Sequence, residues 1–168
     1  MKNKNIYILY TMKEYYIVLE SSNGTQVNSN DYTHIVWTLN RALKRGTKVC
    51  LHQFNYFSNT TDTGFSNNAS DGYLLRLHNI SNQNSSYVSQ SSDKPKQCDI
   101  LACIPNDVIY NPDQSEKLTA SYEPYNELYI ELDNNEIFQI EIQLVNDTLQ
   151  NITLSNINWS VVLKIIEQ

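Results

Sequence analysis

The sequence predicts an all-β domain, either a sandwich of two sheets or a barrel, and three observations carry that prediction. Apolar residues recur with period two in many short segments, the pattern of half-buried strands. No long window carries the apolar stripe of an amphipathic helix. Clusters of Ser, Asn, Thr and Asp separate the segments and supply turn chemistry. Strands that each bury one face must pack sheet on sheet or close on themselves.

The elements follow in chain order. Tyr15, Ile17 and Leu19 alternate in a first strand that closes at the turn signal Ser22-Asn23-Gly24-Thr25. Ile35, Trp37 and Leu39 alternate with His34, Val36 and Thr38 in a second. Residues 40–46 read as a single helical or 3₁₀ turn, ended by Gly46 as a C′ residue. Residues 49–54 form a third strand and residues 73–77 a fourth. The polar stretches 58–71 and 81–97 read as long surface loops. Residues 98–104 and 118–122 supply two more strands, with Pro105 and Pro112 at the turns between them. Leu128, Ile130 and Leu132 then alternate with Tyr129, Glu131 and Asp133. Phe138, Ile140, Ile142 and Leu144 alternate with Gln139, Glu141 and Gln143. Joined through Asn134-Asn135, which tolerates the positive φ of a type I′ turn, these two segments read as a hairpin. The last segment, residues 159–166, is apolar on both faces, as in a central strand covered on both sides.

Length and composition narrow the function classes. A chain of 168 residues amounts to one domain and is long enough to bury a core without staples. Its net charge of −6 has the wrong sign for bulk binding of polyphosphate. Three cysteines imply no disulfide framework and fit a reducing compartment. The apolar stretch 6–10 is shorter than the core of an export signal, so none is read. The 22 Asn and 16 Ile residues point to an A+T-rich genome, and the N-glycosylation sequons among them read as accidents of that composition.

Candidate chemistry is sparse. His34, His52 and His78 lie on or beside strands, but none forms the His-x-His pair that would aim two imidazoles at one metal from a strand face. They read as ordinary strand histidines. Cys50, Cys98 and Cys103 lack zinc or redox spacing and read as small buried apolar residues. Four glycines frame no nucleophile elbow, phosphate loop or dinucleotide fingerprint. Glu131 and Glu141 face each other in the predicted hairpin and read as its solvated side. Arg41, Lys44, Arg45 and Lys48 form a basic patch that reads as a solvated turn in an acidic chain. Twelve tyrosines stand out: Tyr7, Tyr10, Tyr110, Tyr122 and Tyr125 fall at strand ends or outside strands, where Tyr suits either a sheet edge or an interface.

A wider pattern links several of these segments. It starts with an early strand ending in Ser-Asn (residues 14–23), an aromatic-bearing strand (33–39) and a third strand (47–57). After the long polar loops come the closing pair (128–132 and 140–142) and the terminal Trp159-Ser160-Val161-Val162-Leu163-Lys164-Ile165-Ile166. Over residues 14–166 the chain resembles the single jelly-roll penton and minor capsid proteins of large eukaryotic DNA viruses, virophages and related mobile elements. That resemblance implies a jelly-roll β-sandwich of about eight antiparallel strands in two sheets. It implies an N-terminal arm over residues 1–13 and a single domain over 14–168. A structural virion protein is implied, a homopentamer at the capsid vertices that contacts a double jelly-roll major capsid protein and other minor capsid proteins. Its place would be the virion, and the host cytoplasm during assembly. No enzyme activity, catalytic residue, metal, cofactor, nucleic-acid partner or membrane span is expected. The short loops also fit a non-vertex minor capsid or cement protein. Two further readings are a jelly-roll module that binds carbohydrate or a receptor, and an enzyme with a pocket drawn from His34, His52, His78, Glu131 and Glu141.

Overall fold

Period-two alternation commits each segment to one buried face, and in the computed structural model those faces meet between two antiparallel sheets. The structure describes residues 12–29, 31–58, 72–78, 99–105, 119–133, 136–149, 151 and 157–167. Its strands are β1 (Lys13–Glu20), β2 (Thr25–Gln26), β3 (His34–Lys44), β4 (Lys48–Ser58) and β5 (Gly72–Leu77). They continue with β6 (Asp99–Pro105), β7 (Thr119–Tyr122), β8 (Ile130–Glu131), β9 (Glu136–Asn146) and β10 (Ile157–Glu167). A 3₁₀ turn, Ser21–Asn23, follows β1. Among the described residues no helix is long and apolar enough to cross a membrane.

One sheet runs β1-β10-β4-β7, with β8 also paired to β4, and the other runs β2-β3-β9-β5-β6. Among the described residues, setting aside the two-residue strands β2 and β8 leaves eight strands, four in each sheet. Nearly every connection between them crosses from one sheet to the other, and the last long strand returns beside the first. This is the strand order of a jelly roll.

The space between the sheets is filled. Leu19, Leu51, Phe54, Tyr56, Trp159, Val161, Leu163 and Ile165 from the first sheet meet Ile35, Trp37, Leu43, Leu75, Leu77, Ile140, Ile142 and Leu144 from the second. Trp37 and Trp159 meet edge to face across the sandwich, their centroids 5.6 Å apart, a favoured aromatic geometry. Neither indole is left unsatisfied: Trp37 Nε1 donates to the Glu20 carbonyl at 2.8 Å and Trp159 Nε1 to the Tyr32 carbonyl at 2.6 Å. The end of β1 and the turn before β3 are therefore tied to the core by residues that fill it.

Three local expectations are corrected. The predicted hairpin of residues 128–144 does not form, because β8 pairs with β4 in the first sheet while β9 lies in the second. Leu132 spends its backbone bonds on the β3–β4 turn, donating to the Thr47 carbonyl and accepting from Gly46 N–H. Residues 40–44 extend β3 rather than forming a helical turn; Gly46, at φ 82°, makes the strand-to-strand turn instead. Phe138, expected to face inward with Ile140, is exposed while Ile137 is buried. The cause is an irregularity in the β3–β9 ladder, where Thr38 pairs with Gln139 but Leu43 pairs with Ile137, and such a shift changes which face a side chain takes. β10 does take the central place its two apolar faces predicted, between β1 and β4. The long-loop assignments and the N-terminal arm lie largely outside the described residues.

Candidate functional site

Among the described residues, the outer face of each sheet carries a cluster of chemically capable side chains. On the second sheet, Ile35, Leu77, Ile140 and Ile142 point inward, so their neighbours His34, His78, Glu141 and Gln143 point away from the core. Register then gathers them: His34 of β3 pairs with Gln143 of β9, and Arg76 of β5 pairs with the same Gln143 from the other side. His78 follows directly on β5, held by a bond from its N–H to the Glu141 carbonyl at 3.0 Å.

The resulting contacts are short. His34 Nε2 donates to Glu141 Oε1 at 2.7 Å, and His78 Nδ1 stands 3.9 Å from the same oxygen. The two imidazoles stack with centroids 4.7 Å apart. Gln143 Oε1 can only accept, so His78 Nε2 carries the proton of their 2.8 Å bond. Gln143 in turn donates through Nε2 to Asn151 Oδ1 at 2.9 Å. The side chains of His34, His78 and Glu141 are 11%, 21% and 27% exposed, so the group is sheltered but reachable. Burial holds His78 below the ordinary histidine pKa; the Gln143 bond and the Glu141 charge oppose this, while Arg76 and His34 reinforce it. Arg76 Nε is buried without a hydrogen-bond partner among the described residues.

On the first sheet, Lys164 of β10 sits between two carboxylates, 3.1 Å from Glu127 and 3.6 Å from Glu14. Its bond to Glu127 raises the ammonium pKa well above the usual lysine range. Tyr129 donates to the same Glu127, and that bond pushes its phenol up to about 12. The Tyr129 ring lies over the Lys164 ammonium, and Tyr16 packs against His52 at 4.9 Å. Cys50 beneath this face is fully buried, and burial pushes its thiol up to about 11. Tyr16, Val18, Phe57, Leu128 and Tyr129 are all substantially exposed. The cluster sets one lysine between two carboxylates among aromatic rings, and its aromatic content suits a surface covered by another protein.

The histidines, read singly as ordinary strand residues, are thus divided. His34 and His78 come together with Glu141, whereas His52 lies on the opposite sheet beside Tyr16. Glu131 does not face Glu141, because they occupy different sheets. Among the basic residues, Arg41 bonds Glu167 at 2.6 Å and Lys48 pairs in register with Glu131, while Lys44 and Arg45 are exposed. Cys103 is exposed, and Cys98 lies outside the described residues. Tyr7, Tyr10 and Tyr110 also lie outside them, Tyr122 is half-buried, and Tyr125 is 99% exposed. An open groove of about 410 Å³ runs between β1 and β3, lined by Tyr15, Ile17, Leu19, Trp37 and Leu43. It holds none of the five residues from which an enzyme pocket was expected. Compared with models of known protein families and with curated proteins, the chain matches none.

Proposed function

We propose that the chain is a structural virion protein, a capsid penton that assembles as a homopentamer and contacts the major capsid protein at the vertices. The observation that carries this reading is the jelly-roll strand order around a filled interior. Jelly rolls serve as capsid, lectin and cupin domains. A cupin-type reading would place its chemistry between the sheets, where this chain packs Phe54, Trp159, Leu163 and their neighbours. A sugar-binding reading would use exposed Trp, yet Trp37 and Trp159 are buried in that same core. What the chain offers outward is contact surface: the aromatic face of the first sheet, with Tyr16, Val18, Leu128 and Tyr129 exposed. A closed ring of one protomer joins two different patches of each subunit, and this face supplies one of them. The proposal assigns the chain to the capsid and gives it no catalytic role.

Light scattering on the purified chain over a range of concentrations tests it. The expected result is a species near five times 19.5 kDa, and capture of the major capsid protein from the same particle. A stable trimer would replace the vertex assignment with another minor shell position. A monomer that also fails to bind the major capsid protein overturns the proposal.

A further inference from the structure

We propose that His34, His78 and Glu141 form a binding site for a divalent transition-metal cation of the zinc class on the outer face of the second sheet. Three separate strands or strand ends deliver the donors, and their ligand atoms all lie within 4.8 Å of one another. A tetrahedral ion with bonds of ~2.0–2.1 Å sets its ligand atoms ~3.4 Å apart. The two distances to Glu141 Oε1, 2.7 Å from His34 Nε2 and 3.9 Å from His78 Nδ1, bracket that value. Rotation of the two stacked, part-buried imidazoles toward Glu141 would complete the geometry.

The hydrogen-bond network around the cluster points the same way. Asn151 accepts from the Gln143 amide, Gln143 takes the Nε2 proton of His78, and His78 Nδ1 is left with its lone pair toward Glu141. Nδ1 then presents its lone pair toward the carboxylate oxygen that also receives the His34 bond, so two ring nitrogens and a carboxylate oxygen converge on one place. A second ring nitrogen bound to a fixed acceptor is also how metal-bound histidines are held in orientation. When the ion enters, His34 carries its proton on Nδ1 and presents Nε2.

The donor set selects the ion. Two imidazoles with one carboxylate suit zinc, nickel, cobalt or copper, whereas calcium and magnesium need several oxygen donors. Three protein ligands leave a fourth position open to water or to a donor from outside the chain. Bound metal would tie β3, β5 and β9 together on the sheet face away from the core.

Titration of chelator-treated full-length protein with Zn²⁺, read by competition with a chromophoric chelator, and with Co²⁺, read by visible absorption, tests the assignment. One equivalent is expected to bind, with the intense cobalt bands of a four-coordinate site. His34→Gln, His78→Gln and Glu141→Gln should each weaken binding by at least ~100-fold, and Gln143→Leu by ~10-fold or more through its hold on His78. His52→Gln should bind as the parent does. Unfolding of each variant without metal shows whether it is folded, and the Zn²⁺-induced rise in melting temperature should vanish only in the cluster variants. No binding by the parent chain, equal binding by the folded cluster variants, or displacement of Zn²⁺ by equimolar Ca²⁺ overturns the site.

Discussion

Gly24 shows how one missing side chain can govern packing. It directly follows the 3₁₀ turn, and a Cβ placed there would lie 2.1 Å from Ile35 Cγ2 and 2.8 Å from the Trp37 indole nitrogen. Both neighbours are buried, so they have little room to retreat. Gly24→Ala should therefore destabilise the fold by about 1–3 kcal/mol, the usual cost of overpacking a core, measured by urea unfolding; an unchanged midpoint would show that the turn shifts freely. Gly46 is the opposite case, since nothing lies near its Cβ direction and only its φ of 82° demands glycine. From the sequence both were visible as turn residues. That one serves close approach and the other backbone conformation depends on neighbours that only the fold supplies.

Among the elements, β1 is the one whose surroundings matter most for assembly. It pairs with β10 along its whole length and, among the described residues, is an edge of the first sheet, a position that a further strand or surface can join. Alternation points Ile17 and Leu19 inward, and both pack into the core with Tyr15 beside them. Its outward Tyr16 and Val18 are 49% and 61% exposed. Val18→Lys places a charge on that face without touching the core, and should convert the proposed pentamer to smaller species while leaving the melting temperature within about 2 °C of the parent. Sedimentation at matched concentrations would show it; retention of the full pentamer would move the interface elsewhere. The β8 segment shows where element-level reading fails. Its alternation was genuine, but alternation names a buried face and not a partner, and the backbone of residues 130–132 had already been taken by β4 and the turn before it.

For the whole molecule, pH dependence follows from the direction of two shifts. His78 is held below its ordinary value by burial, so the unfolded chain takes up a proton first as pH falls past about 6.5, and stability declines from there until the folded histidine protonates as well. Arg76, His34, Glu141 and Gln143 are the groups facing it from β5, β3 and β9. Glu127 is held below its ordinary carboxylate value by bonds from Tyr129 and Lys164; its contribution is present above about pH 4.5 and is lost as pH falls through its folded pKa. The urea midpoint in the presence of chelator should therefore fall between pH 7 and pH 4. His78→Gln should flatten the part of that fall just below about pH 6.5. An identical profile in the variant would assign the slope to other groups.

The sequence by itself determined the class of fold, the approximate positions of most strands, the inward-facing residues of β1, β3 and β10, and the presence of both tryptophans in strands. These follow from local periodicity, which a strand expresses whatever its partners. Tertiary structure alone decided which strands pair, where the ladders slip, and which polar residues meet. His34 and Glu141 are 107 positions apart and His78 and Gln143 are 65 apart, so no motif spacing can announce them. They meet because consecutive strands of this chain cross between sheets, which places β9 between β3 and β5. Outward-facing positions carry no apolar pattern to read, and a site built from them becomes legible only once that order of strands is known.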